Sequence, residues 1–206
     1  HYSSVNFSGG GVYKFEKSNV RLNIASGFRA PNSAELLSDG VHHGAARYQI
    51  GDELLKSERS YQVDFTYQYT NEHFSFSVNP FLNQVQNFIY LENQNILLDS
   101  FPAFKFTQKD AVLYGGEVGF HYHPHSIHWL HLESNLSNVF AKDNKGNAIS
   151  MIPATRNATT IKVSFEKSKW ITNLFIKNTF KFAQNRVGTN ETSSPSYNLI
   201  DCGLNG

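Results

Sequence analysis

Cysteine is almost missing from this sequence: Cys202 stands alone, so no internal disulfide framework can staple the chain. An excess of one charge is missing too. Lys and Arg number 18 against 17 Asp and Glu, a net charge of +1, which excludes the basic footprint of a nucleic-acid binder. Long hydrophobic runs are also lacking; without a stretch of about 18 apolar residues, no helix can cross a bilayer. No signal-peptide pattern opens the sequence, and its one methionine is Met151. We therefore expect a processed or truncated chain. Aromatic residues, in contrast, make up 14% of the 206 residues and charged ones only 17%, a balance that excludes wholesale disorder.

Alternation is the dominant pattern. In Tyr61-Gln62-Val63-Asp64-Phe65-Thr66-Tyr67-Gln68-Tyr69 the odd positions are aromatic or β-branched and the even ones polar. Side chains on a strand alternate faces, so one face is apolar and the other wet. The stretch 112–122 reads the same way: Val112, Tyr114, Val118, Phe120 and Tyr122 share a face, with Glu117 and His121 opposite. Further strands are expected over residues 4–15, 20–26, 74–90, 127–140, 158–165, 170–182 and 197–204, giving about nine in all. Ala34-Glu35-Leu36-Leu37 suits a single helical turn inside a loop.

The connections fall into two kinds that alternate strictly. Short, turn-like ones lie at residues 16–19, 70–73, 124–126 and 166–169; long ones rich in Gly, Asn, Pro and Ser lie at 27–57, 91–103, 141–153 and 183–196. An up-and-down meander across a bilayer sorts its connections this way, with short periplasmic turns and long outer loops. The apolar face then meets lipid and the polar face lines a lumen. Tyr61, Tyr69, Tyr122 and Trp170 fall near strand ends, where amphipathic rings suit the headgroup zone. The same alternation fits a soluble antiparallel sandwich with its apolar face packed inward. A smaller, passive outer-membrane barrel is a third reading.

The string Gly27-Phe28-Arg29-Ala30-Pro31-Asn32 closes an alternating strand and opens the first long loop. It is followed by Glu35-Leu36 and then by the stretch from Gly40 through His42, Gly44, Arg47-Tyr48-Gln49, Gly51-Asp52 and Leu55-Lys56-Ser57-Glu58. Later come Asn79-Pro80-Phe81, Phe88-Ile89-Tyr90, Gln108-Lys109-Asp110-Ala111, Gly115-Gly116-Glu117 and Ile152-Pro153-Ala154-Thr155-Arg156. In this order they resemble the β-barrel of TonB-dependent outer-membrane receptors. Gln49, Asp52 and Ser57 depart from the Glu, Asn and Pro of the family pattern, and Ala154-Thr155 interrupts a proline pair.

The resemblance implies an all-β fold, an antiparallel up-and-down meander belonging to a transmembrane barrel of about 22 strands. It implies that residues 1–206 are a partial barrel domain without its plug. It also implies a Gram-negative outer-membrane location and partners of four kinds. These are lipid, the plug domain, TonB, and an extracellular small-molecule ligand such as an iron–siderophore or another metal chelate. Neither cofactor nor enzymatic activity is expected, since no nucleophilic triad, paired-carboxylate site or phosphate-cradling loop occurs.

Individual residues carry physical expectations. Gly27 and Gly51 suit close backbone passages. Pro31 ends the strand by fixing its own φ and holding Ala30 extended. Arg29 and Arg47 suit ion pairs with Glu35, Glu53 or Glu58 that order the loop. Phe28, Asn32 and Glu58 belong to the same structural motif. Gly115-Gly116 suits a close approach by a plug or an aromatic ring. Asp39, His42, His43, Arg47 and Glu53 form the expected substrate-facing patch in the outer loop. His121, His123, His125, His128 and His131 crowd one short turn. A register pairing Tyr122 with Leu130 sets His121 opposite His131 and Gly119 opposite Glu133, which makes His121, His131 and Glu133 a candidate metal site.

Overall fold

The computed structural model describes residues 3–124, 126–165 and 170–206. The expected turn at 166–169 and His125 lie outside the described residues. The elements follow in chain order: β1 (Ser8–Lys14), β2 (Ser18–Arg29), α1 (Ser33–Leu37), β3 (Asp39–His42), a 3-10 turn (His43–Ala45), β4 (Arg47–Ile50), β5 (Glu58–Thr70), β6 (Phe74–Leu98), β7 (Phe101–Tyr122), β8 (Leu130–Asp143), β9 (Arg156–Ser164), β10 (Asn173–Lys181) and β11 (Tyr197–Asn205). Nine strands form one antiparallel meander in the order β1-β2-β5-β6-β7-β8-β9-β10-β11. The sheet is not closed on itself among the described residues, and it is a single layer, not a two-sheet sandwich.

The strand register keeps the two faces apart across the whole sheet. Leu22, Phe65, Val63 and Leu82 fall on one face, as do Val78, Val118 and Leu136. Leu22, Phe65, Leu82, Val118, Ile161, Leu174 and Ile176 are all exposed there. Gln68, Ser77, Gly119, Asn135 and Ala158 line the opposite face. An exposed apolar face of this extent is stable against lipid and costly against water.

Two expected boundaries move. Residues 91–103, expected as a loop, are the paired end of a long hairpin: β6 runs to Leu98 and β7 begins at Phe101. Only Asp99 and Ser100 turn, both in the left-handed region with φ of 50° and 68°. Glu92-Asn93-Gln94-Asn95 looks like loop sequence because this part of the hairpin needs no apolar face. Two bulges interrupt the pairing, at 85–88 and 93–97, with Asn87 and Asn95 at positive φ. The first long connection also contains structure of its own. β3 and β4 form a small hairpin, and β4 adds in parallel to β7 through Tyr48–Ala103, Gln49–Phe104 and Ile50–Lys105.

What core exists sits at the long-loop end. Tyr90, Ala111, Ala141 and Ile149 are buried together, with Phe88, Leu113 and Ile152 against them. Three connections interlock above this cluster. Asn93 Nδ2 donates to the Asn190 carbonyl at 3.1 Å, and Asn190 Nδ2 returns a bond to the Asn93 carbonyl at 3.0 Å. Glu191 accepts from the Met151 and Gly188 amides at 3.0 and 2.8 Å. A side chain at Gly115 would meet the Asn138 backbone, and one at Gly116 the Asn79 backbone at 2.8 Å, so neighbouring strands approach this glycine pair closely.

Candidate functional site

The loop-opening motif builds a knot of charge at the end of β2. Pro31 is buried and stops the strand. Asn32 then caps α1: its Oδ1 accepts from the Glu35 amide at 2.9 Å, and Glu35 Oε2 accepts from the Asn32 amide at 2.8 Å, a reciprocal capping box. Glu35 is only 8% exposed. Arg29 Nη1 reaches both of its oxygens at 2.8 and 2.9 Å, and Arg29 Nε reaches Glu58 at 2.6 Å. The other oxygen of Glu58 accepts from the Ile89 amide at 2.7 Å, which ties the knot to the β6 bulge. Gly51 passes against this turn. A Cβ there would lie 2.6 Å from the Leu36 carbonyl, and the Gly51 and Asp52 amides donate to Ser38 and Glu35 carbonyls. Phe28 lies partly buried in β2 beside Arg29, and Gly27 approaches Ser60.

Further bonds fix the loop to the hairpin. Gln108 Oε1 accepts from the Lys56 amide at 2.9 Å, while its Nε2 donates to the Lys56 carbonyl at 3.0 Å. Asp52 accepts from the Leu54 amide at 2.9 Å and pairs with Lys105 at 3.3 Å. These two contacts, the backbone bond foremost, hold its carboxyl below the ordinary aspartate range.

The five residues expected to face substrate lie along this loop but do not converge. Asp39 accepts from the Tyr48 hydroxyl at 2.7 Å, which raises the Tyr48 phenol above its ordinary value. His42 caps the 3-10 turn by accepting from the Ala45 amide at 3.2 Å. His43 meets Phe101 edge-on, with ring centroids 6.2 Å apart. Arg47 is not in an acidic pair: its guanidinium stacks over Phe104 at 5.5 Å, because β4 lies beside β7 there. Glu53 is exposed in the turn after β4.

The histidines of the short-turn end do converge. Pairing runs His121–Glu133 and Tyr122–Leu132, not Tyr122–Leu130, so the expected register is displaced by two residues. The connection explains this. Two successive turns, with the Ile127 amide donating to the Pro124 carbonyl and the Leu130 amide to the Ile127 carbonyl, delay the entry of β8. One step further along the same ladder, position 123 lies across from 131. His121 and His123, two apart on one strand, then share a face with His131. His121 Nε2 lies 3.1 Å from His131 Nδ1, with the rings stacked at 15°. Potential ligand atoms of His121, His123 and His131 all fall within 4.8 Å of one another. Among the described residues no other His, Cys, Asp and Glu side chains gather in threes this way, and Glu133 is outside the group. His123 stands in the group where Glu133 was expected, and the spacing His-x-His on a strand already places both of its rings on one face.

His121 also borders an open depression of about 390 Å³ on the polar face, lined among others by Gln68, Ser75, Ser77, Glu133 and Thr160.

A family model described as TonB dependent receptor-like, beta-barrel matches residues 1–205. Among solved structures, the copper transporter OprC aligns at 18% identity and a TM-score of 0.73, covering 95% of this chain and 29% of that one. The FrpB iron transporter from Neisseria meningitidis aligns at 13% identity and a TM-score of 0.65, covering 98% and 32%. The siderophore receptor PirA from Pseudomonas aeruginosa aligns at 17% identity and a TM-score of 0.63, covering 97% and 32%. The chain therefore spans between 29% and 32% of the length of these structures. At such identities the likeness shows the fold.

Proposed function

The chain belongs to the TonB dependent receptor-like β-barrel family, and from that membership we propose that it forms part of the wall of an outer-membrane uptake receptor energised through TonB. The observation that carries the reading is the family match over residues 1–205, on a sheet with one apolar exposed face and one polar face. The cargo we propose is a metal chelate, an iron–siderophore or a copper complex. Solved relatives of the same fold include a copper transporter, an iron transporter and a siderophore receptor. In this reading residues 1–206 contribute barrel strands and outer loops, and the plug and TonB act with them in the whole receptor.

The outer loop of Asp39, His42, His43, Arg47 and Glu53 meets cargo first. His42, His43 and Glu53 are exposed there, while the Arg29–Glu35–Glu58 knot holds the loop's base in place. The wall performs no covalent chemistry; it binds, orients and lets pass.

Uptake of radiolabelled ferric siderophores and of copper, measured in a receptor-deficient Gram-negative host carrying the full-length gene, tests the proposal. Accumulation that requires an intact TonB is the expected result. Uptake of none of these solutes, or uptake unchanged on deleting TonB, refutes it.

A further inference from the structure

We propose that His121, His123 and His131 form a binding site for a divalent transition-metal ion of the zinc or copper class at the short-turn end of the polar face. The inference rests on strand geometry and stands whatever cargo the receptor carries.

Three facts meet at one place. First, the donor set is three imidazoles, the ligand type that suits zinc, copper and nickel. Second, the spacing fits. Two nitrogens each about 2.0–2.1 Å from a tetrahedral ion lie about 3.3–3.4 Å apart, and the His121–His131 pair stands at 3.1 Å. The third donor, within 4.8 Å of both, closes on an ion by a small ring rotation. Third, the local polar balance asks for a cation. The His121–His131 contact uses one nitrogen of each ring, whereas His123 Nδ1 is buried with no hydrogen-bond partner. A buried polar atom without a partner is costly, and a ring turned toward a cation at this place would relieve that cost.

The backbone supports all three rings. His121 lies in the β7–β8 ladder, and the His123 amide donates to the His73 carbonyl at 2.9 Å. His131 is held in register with Lys162 of β9. Glu133, directly across from His121, is placed to act on that ring from outside the donor set, and Lys162 supplies the opposing charge. Three protein ligands leave a fourth position open, for water or for a donor from another part of the receptor. The bound ion would also clamp β7 to β8 beyond their last ladder pair.

The test uses the untagged full-length protein in detergent micelles. Calorimetric titration with zinc is expected to show one tight equivalent. Its affinity should fall at least about tenfold, the loss already caused by removing an outer partner of a metal ligand, in each of His121→Ala, His123→Ala and His131→Ala. His128→Ala, at an exposed position in the same connection but outside the trio, should retain it. Affinity unchanged in the three single variants overturns the proposal. So does a full loss in Glu133→Gln with His123→Ala silent, which would assign a two-histidine carboxylate site instead. Because a variant can fail to assemble, paramagnetic resonance of the unaltered protein with one equivalent of copper(II) decides independently. Superhyperfine coupling to three nitrogens is expected, and coupling to two or fewer overturns the assignment.

Discussion

Gly51 shows how much a single position can carry. Its Cα faces the backbone of α1, and a methyl group there would lie 2.6 Å from the Leu36 carbonyl carbon and oxygen and 2.7 Å from the Leu37 amide. Backbone cannot yield as a side chain can. Gly51→Ala should therefore destabilise the loop by about 1–3 kcal/mol, the usual cost of overpacking, read as faster proteolysis within residues 30–57 in micelles. Asp52, its neighbour, gives a pH dependence whose sign is fixed. The Leu54 amide and Lys105 hold its carboxyl below the ordinary value, so in the folded chain it stays ionised to lower pH. The stabilisation is complete above the ordinary aspartate value of about 4 and is lost as pH falls below it. Protection of the loop should fade in that acid window and Asp52→Asn should flatten the dependence, while Lys105→Ala weakens it less because the backbone bond is the larger cause. Gly51 was legible in the sequence as a close passage. The partner of Asp52 was not, since Lys105 lies on a strand reached only through the parallel β4–β7 contact.

At the scale of the element, a strand here is defined by its two faces. Leu82 and Gln68 lie on adjacent strands but opposite faces. Leu82 is 51% exposed on the apolar side. Leu82→Lys should cost up to about 2–4 kcal/mol, the range for a lysine at mid-bilayer depth, whereas Gln68→Lys on the polar side should stay within about 0.5 kcal/mol. Urea unfolding from lipid vesicles measures both, and equal costs would contradict the assignment of faces. The alternation that carries this was plain in the sequence, as was the single helical turn at α1. The length of the β6–β7 hairpin was not. Glu92 to Asn95 is as polar as any loop, and only the pairing of Glu92 with Lys105 and Asn93 with Phe104, resumed at Leu97 with Pro102 after a bulge, makes it strand.

The whole molecule is an open sheet with β1 and β11 at its edges. Among the described residues its buried apolar set is small, and many large apolar side chains are exposed on one face. Unpaired edges template further pairing, and an apolar face of this breadth is not stable in water. Expressed alone, the 206-residue chain should aggregate in plain buffer and become soluble only with detergent. A sharp monomeric peak in size-exclusion chromatography without detergent would contradict the lipid-facing reading. The scarcity of charge in the composition matches this scale, since one whole face of the sheet is apolar.

Alternation, the alternating short and long connections and the ordered motifs are local properties, and the sequence alone determined from them an all-β meander with one apolar and one polar face, and a family. Register and pairing across distant segments are not local. Only the tertiary structure decided that Arg29 pairs with Glu35 and Glu58 while Arg47 turns to Phe104. Only it decided that two turns in one connection shift β8 by two residues. A two-residue slip keeps every side chain on its own face but changes its neighbours. That is why the sequence could place the histidines on the polar face, and why it took the fold to set His123 across from His131 and make it, rather than Glu133, the third donor of the group.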